Sequence, residues 1–519
     1  MLLLYGRALG HGFVHDDHAL LERSVRLADW SQLPDALTHD LFWLADGAVR
    51  PSPYWRPLVV LSYALDRALG GGAAWAFHLS NLMYLAVLGW VAGRGLPRWP
   101  RAAALALLIA HPMMSEVALN ITARTDLMAA IFGVLALRST GGRAAALTLA
   151  ALGCKEVAIV LPLMAAAGAW LEGDLRRARW LGHAAAAGAW LLVRAALVRT
   201  WGVAPEDRGW PTLESALEAP ARVGFYLGRL IWPADPVAAR ALPEASALAL
   251  GLGWIGLILV IGLAVRQGRQ HVEGARAGLG VLAPLLPVSG LLASPVRYAE
   301  GFLCWPLVGL SVGLARRSPA LTLLLALPCA ALSAARVADW RDERALWAEA
   351  RADYPDDPLV AGKFGVTIRD EDPALAEPAL RQGAAGVADV RLQREWSAQL
   401  AQLLMNQDRW REAVPYLRFA ARPGDPEASW ALLARCTVEA GERLPVDLDV
   451  PALAEVCAEA TRRSPRDPDL WNAAGVEAAS RADLAAAITC FQNAVRLAPE
   501  RADLKQNLAR AQLLSGAAP

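Results

Sequence analysis

Asp16 and Asp17 stand side by side, directly after the first apolar stretch of the chain. Adjacent carboxylates can divide labour: one accepts a proton while the other binds a hydroxyl or a metal. A solvated loop turn is the plainer use of the same pair. Downstream, His111-Pro112 is followed by Glu116, Arg124 and Asp126, and Lys155-Glu156 sits between two apolar segments with almost no loop between them. Arg297-Tyr298 immediately precedes another apolar segment. Charges near membrane depth are expensive, so each invites a functional reading beside ordinary ion pairing. Carboxylates and cations gathered at one membrane surface suit a lipid-phosphate donor. The cations would hold the phosphate as a leaving group, and one carboxylate would deprotonate an acceptor hydroxyl.

Metal chemistry has little to build on. The six cysteines form no C-x-x-C, and none of the eight histidines pairs with cysteine at ligand spacing. Structural zinc is not expected. A divalent ion at the Asp pair stays open, and no organic cofactor is implied. With a net charge of +1, bulk electrostatics gives no reason to expect nucleic acid.

The elements that must carry these residues are apolar helices. The chain is 55% hydrophobic with a mean hydropathy of +0.30, yet the apolar excess stops near Arg336 and charge density rises after it. Such a shift marks a change of solvent from lipid to water. Candidate spans cover 1–13, 74–93, 101–112, 126–138, 143–154, 156–172, 180–198, 245–265, 277–293, 299–315 and 319–335. This predicts an all-α chain: a transmembrane bundle of about eleven spans over 1–336 and a soluble helical region over 337–519. Arginines cluster at Arg94–Arg101, Arg138–Arg143, Arg176–Arg179, Arg266–Arg276 and Arg316–Arg317. With the N-terminus inside, all of these loops are cytoplasmic, as the positive-inside rule requires. The first loop, about 15–73, and everything after Arg336 then lie outside, and Asp16, Asp17, Glu116, Arg124, Lys155 and Arg297 share that outer face. The first loop mixes Asp29, Asp35, Asp40 and Asp46 with Trp30, Trp43 and Trp55, which predicts helices lying in the interface. Segment 222–244 is expected on the surface; were it to span, the parity would change.

After Arg336 the signal is a repeat. Trp471, Gly475, Ala487, Phe491, Ala494 and Pro499 fall at the offsets of a tetratricopeptide (TPR) unit of about 34 residues. Weaker copies run through Trp347–Pro355, Trp396–Ala420 and Trp430–Pro465. The small residues let two helices approach, and Phe491 fills the gap between neighbours. Stacked units bury a continuous core and form an α-solenoid with a concave face.

Taken in order, several segments resemble the transmembrane and TPR-repeat-containing O-mannosyltransferases and their bacterial relatives, of the GT-C class of lipid-donor glycosyltransferases. They are GFVHDDHAL at 12–20, YWRPLVVLSYALD at 54–66, FHLSNLMYL at 77–85, HPMMSEVALNITARTDLMAAIF at 111–132, CKEVAIVLPLM at 154–164, RYAEGFLCWPLVGL at 297–310 and DWRDERALWAEARADYP at 339–355. The resemblance implies transfer of a sugar, typically mannose, from a polyprenyl or dolichyl phosphate to a Ser or Thr hydroxyl. The expected base maps to Asp16 or Asp17. Donor or substrate contacts map to His111, Glu116, Arg124, Lys155 and Arg297. An acceptor protein would be presented by the TPR repeats, and such enzymes commonly work without a metal. Met114 stands where the family usually has a second His, and Val296 where Glu often precedes the Arg. The Arg-, Ala- and Gly-rich composition fits a bacterial protein of the inner membrane with its repeats in the periplasm.

Two readings follow. In the first the chain is a glycosyltransferase whose charged residues converge on an outward cavity. In the second it is a non-catalytic, membrane-anchored TPR scaffold for envelope partners, with a closed or depleted site. A transporter is disfavoured by the lack of midplane acids and paired broken helices.

Overall fold

The computed structural model describes residues 1–45, 52, 54–173, 180–197, 213–233, 251, 254–255, 272–289, 299–387, 389–420, 458, 461–462, 466–480 and 482–516. Among these residues the regular structure is entirely helical. The chain divides into two compact units, Met1–Pro355 and Asp356–Pro519. The hydropathy shift suggested a boundary after Arg336, but residues 337–355 fold with the first unit. The reason is aromatic: Trp340 and Trp347 are fully buried there, and a cut before them would expose both rings.

In the first unit, Ala74–Gly93 and Pro319–Arg336 are the two described helices long and apolar enough to cross a membrane. Gly141–Leu152, Glu156–Leu171 and Leu181–Leu197 are shorter apolar helices. The stretches expected as spans at 101–112, 126–138 and 299–315 are helical, as Arg98–Ala110, Arg124–Leu137 and Cys304–Arg317, but none is among the helices long and apolar enough to cross a membrane. The stretch at 1–13 forms only two short turns, Leu2–Tyr5 and Gly6–Gly10. The stretch expected at 277–293 is split into the helix Val272–Leu282 and the turn Ala283–Val288. Most of 245–265 lies outside the described residues. A helix at Leu213–Ile231 overlaps the segment expected on the surface, and its Tyr226 is fully buried edge-on to Phe302.

The face of Ala74–Gly93 shows how composition and packing divide. Trp75, Leu79, Met83, Val87 and Trp90 recur every three or four residues and stay exposed. Phe77, Asn81, Leu82, Leu85 and Leu88 occupy the buried side.

The first loop, expected to lie in the interface, keeps Val25 and Trp30 exposed but buries other apolar residues. Leu20, Leu21, Leu27, Leu44, Val60 and Tyr63 pack in one buried cluster with Phe77, Ile121 and Met128, so these apolar residues face protein. Two of its acids are local caps: Asp29 accepts from the Ser31 amide and Asp40 from the Phe42 amide. Asp46 lies outside the described residues. The loop closes on a regular helix, Pro57–Gly70, with proline at its first turn.

The second unit is built of consecutive helices joined by short turns: Pro358–Ile368, Pro373–Gly386, Val390–Asn406 and Trp410–Ala420, then Pro468–Ser480, Leu484–Leu497 and Ala502–Ser515. Asp-Pro pairs set several starts. Asp357 and Asp372 cap their helices by accepting backbone N–H bonds, and Pro358 and Pro373 supply the fixed first φ. Glycine sets the helix spacing. A Cβ at Gly383 would fall 2.6 Å from the Gly362 Cα, and one at Gly475 would fall 2.6 Å from the Phe491 ring. Ala487, Phe491 and Ala494 are all buried, as the repeat pattern expects. The copy expected over Trp430–Pro465 falls almost wholly outside the described residues.

Candidate functional site

The Asp pair is split by its surroundings. Asp17 is fully buried, and its carboxylate accepts N–H bonds from Val14 (3.3 Å) and Thr122 (3.0 Å). Burial pushes its pKa up to about 7, against the pull of those two amides. Asp16, one residue earlier, keeps 41% of its side chain exposed, with His15 Nδ1 3.1 Å from its Oδ1. Asp17 therefore ties the first loop to the 111–126 segment, while Asp16 faces outward beside it. The Thr122 contact is set by Asn120, whose Oδ1 accepts from the Thr122 amide (3.1 Å) and hydroxyl (2.8 Å).

Arg124 starts the Arg124–Leu137 helix and points into protein. It pairs with Asp66 at 2.5 Å and donates to Asn81 Oδ1 and the Phe77 carbonyl, both at 2.9 Å, and to Ser62 Oγ at 3.2 Å. Its carbon Cζ lies 4.8 Å from the centre of the Tyr63 ring. One guanidinium thus joins Pro57–Gly70, Ala74–Gly93 and its own helix. It does not face solvent, and its donors are engaged by protein acceptors.

Glu116 and Lys155 meet in a second network. Lys155 Nζ is 2.5 Å from Asp126 Oδ2 and 4.7 Å from the Phe302 ring centre. Gly301 donates its amide to Glu116 Oε2 at 2.7 Å. A Cβ at Gly301 would lie 3.1 Å from Asp126 Oδ2, so glycine allows the two carboxylates to share this strand of backbone. Burial, with Glu300 and Asp126 close by, pushes Glu116 up to about 8. Glu300 in turn binds Arg336 at 2.7 Å, and Arg336 donates to the Pro112 carbonyl (2.8 Å) and Ser115 Oγ (2.5 Å). At the rim, Arg56 pairs with Glu156 at 2.9 Å.

His111 stands apart from both networks. Its Nδ1 accepts from the Met113 amide at 3.3 Å, which leaves Nε2 to donate to the Leu230 carbonyl at 3.1 Å. Arg297 lies outside the described residues.

Of the predicted residues, then, Glu116 and Lys155 converge, Asp17 and Arg124 anchor packing, and Asp16 is half-buried. Asp66, Glu300 and Arg336 complete the geometry but were not singled out from the sequence. A signal existed for Arg336 and Asp66: each is a charge within or ending an apolar helix. A cavity of about 450 Å³ is lined by Arg138, His183, Arg276 and Arg316, among others, and contains none of the predicted residues. The groove in the second unit, lined by Arg381, Glu412 and Tyr416, contains none either.

Among the described residues the fold and site define an all-helical protein whose first unit holds buried ion-pair networks beside an Asp turn and whose second is built of helix pairs. No family model matches the chain. It is similar to Protein O-mannosyl-transferase Tmtc2 of Drosophila melanogaster, at 34% identity over 190 residues, covering 32% of this chain and 20% of that protein. Tmtc1 of the same organism is 34% identical over 181 residues, covering 31% and 21%. Human TMTC2 is 30% identical over 145 residues, covering 26% and 17%. The matched stretch thus spans about a fifth of the length of these relatives. Among solved structures, the P58(IPK) TPR domain aligns over 72% of this chain and 93% of its own, at 12% identity and a TM-score of 0.21, a likeness that carries no argument.

Proposed function

We propose that the chain is a membrane glycosyltransferase that moves a sugar, mannose by its relatives' name, from a polyprenyl-phosphate donor to a Ser or Thr hydroxyl of a protein. The observation that carries this reading is the likeness to proteins named O-mannosyl-transferases, joined to a half-buried Asp16 set on a turn that Asp17 fixes. Asp16 is the base: its carboxylate takes the acceptor proton as the hydroxyl oxygen attacks the anomeric carbon from the face opposite the phosphate. The phosphate departs with the electron pair of the broken bond. Lys155, and Arg297 by its place in the sequence, neutralise that leaving group. Glu116, His111 and Arg124 position the surrounding segments. No metal is required by this scheme.

The exposed stripe of Trp75, Leu79, Met83, Val87 and Trp90 supports a lipid-facing first unit. The GT-C-type bundle of about eleven spans, the inner membrane of a bacterium and a periplasmic TPR solenoid that presents the acceptor are parts of the same proposal.

A second reading has one observation in its favour. Asp17, Arg124 and Glu116 are taken up by protein contacts, as in a non-catalytic scaffold that displays its helix pairs to envelope partners. The test is transfer from labelled polyprenyl-phosphate mannose in membranes holding the wild type, Asp16→Asn or Asp17→Asn. The enzyme reading expects transfer by the wild type and a loss of about 10²-fold or more in Asp16→Asn at equal protein level. Equal label in wild type and both variants, no greater than in empty membranes, moves the weight to the scaffold.

A further inference from the structure

We propose that Glu343 and Trp347, on the helix that follows Pro319–Arg336, are positioning residues for the Asp16 turn; this rests on Asp16 being the base. The turn carries an unfavourable backbone. His15 has φ +54°, a left-handed conformation that costs a residue with a Cβ more than glycine, although His adopts it more readily than most. The Glu343 carboxylate bonds this residue directly. One carboxylate oxygen accepts the His15 backbone N–H, and the other accepts the Trp347 indole N–H at 2.6 Å. Glu343 and Trp347 are four residues apart, so they share one face of their helix.

The contact is reinforced on both sides. The His15 and Trp347 ring centres lie 5.8 Å apart, with Trp347 fully buried. Gly12 donates its amide to the Arg341 carbonyl at 3.2 Å, and Asp342 caps the start of the Glu343–Asp353 helix. His18 Nε2 is 3.9 Å from the same Glu343 oxygen that holds His15, and its other ring nitrogen is 2.6 Å from Glu22. The turn is thus gripped from two directions. Asp17 fixes its far side to Thr122, and Glu343 fixes its near side. Asp16 lies between the grips with its side chain outward. Without the Glu343 carboxylate, His15 relaxes toward negative φ, and that rotation swings the next residue, Asp16, off its line.

This makes a prediction that a merely structural glutamate would not satisfy. In the full chain in membranes, Glu343→Ala lowers kcat about 10- to 100-fold, the scale of an ångström-sized misplacement, while KM for the donor stays within about threefold. Glycine reaches left-handed φ without strain. In a His15→Gly background, Glu343→Ala therefore costs less than about threefold, so the pair is strongly non-additive. Glu343→Gln keeps one acceptor where two N–H groups need one, and loses a smaller part of kcat; it carries the test should the alanine variant fail to reach the membrane. Wild-type kcat in Glu343→Ala and Glu343→Gln, with Asp16→Asn inactive, overturns the positioning role and leaves the base in place. Losses that simply multiply in the double variant overturn it as well. Full transfer by Asp16→Asn removes the base assignment itself, and the positioning role with it.

Discussion

The first unit has surface ion pairs, as at Arg316–Glu273, but adds buried ones that the described part of the second does not show. In Met1–Pro355 the pairs Arg124–Asp66, Lys155–Asp126 and Arg336–Glu300 are buried on both sides. In Asp356–Pro519 the described pairs sit at the surface: Arg381 and Arg409 share Glu377 and Glu412, and Arg501 joins Asp469 to Asp503. A buried pair contributes little net stability but is costly to break, because the survivor is left charged in a poor solvent. A surface pair is screened and costs little to lose. The first unit is therefore specified by polar networks, and the second by how closely glycine and alanine let helices meet.

The largest break should come at Arg124. Arg124→Ala leaves Asp66 buried without its cation and is expected to cost about 3–5 kcal/mol. Thermal unfolding of the detergent-solubilised protein should show it as a lost or sharply lowered first transition. Replacing both partners, as in Arg124→Met with Asp66→Asn, should recover much of that loss, since the penalty belongs to the unpaired charge.

The matching break in the second unit is smaller and purely steric. Gly383→Ala drives a methyl onto the Gly362 backbone, which cannot yield, and should cost about 1–3 kcal/mol. Gly475→Ala meets the Phe491 ring instead, and a paired Phe491→Leu should relieve part of its effect. Melting followed by circular dichroism reads both.

A third experiment tests the polar character of the first unit by pH. Glu116 sits up at about 8 by burial, above its unfolded value of 4.5. The folded state then holds the extra proton, so this stabilising contribution is full below about 4.5 and is lost as pH rises through about 8. Glu116→Gln mimics the protonated form and should flatten the fall in Tm between about pH 5 and 8, by about a few degrees. An identical slope in the variant would show that Glu116 is ionised in the fold.

The smallest effect is expected at the surface of the second unit. Arg409→Ala should leave the melting point within about a degree, at low salt and high salt alike. A large loss there would erase the contrast between the units.

The sequence alone determined the broad plan. Apolar content and Asp-Pro starts made the chain helical, the change of composition near Arg336 put the solvent-like part last, and the spacing of Gly475, Ala487 and Phe491 named residues that do pack together. It also picked Glu116 and Lys155 as members of one region, where Gly301 bonds to Glu116 and Asp126 pairs with Lys155. Local rules suffice for this, because helix periodicity, caps and small-residue spacing act within a few turns of chain. Only the tertiary structure decided what each charge does. Asp16 and Asp17 are identical in type and adjacent in sequence, yet one is half-buried and the other is fully buried and bonded to an amide more than a hundred residues away. Arg124 was an apt phosphate ligand by type, and Asp66 turns it inward. Glu343 reaches His15 across most of the first unit, and nothing near either residue foretells that bond. A charge's role is fixed by its desolvation and its partner, and both come from chain segments that meet only when the fold closes.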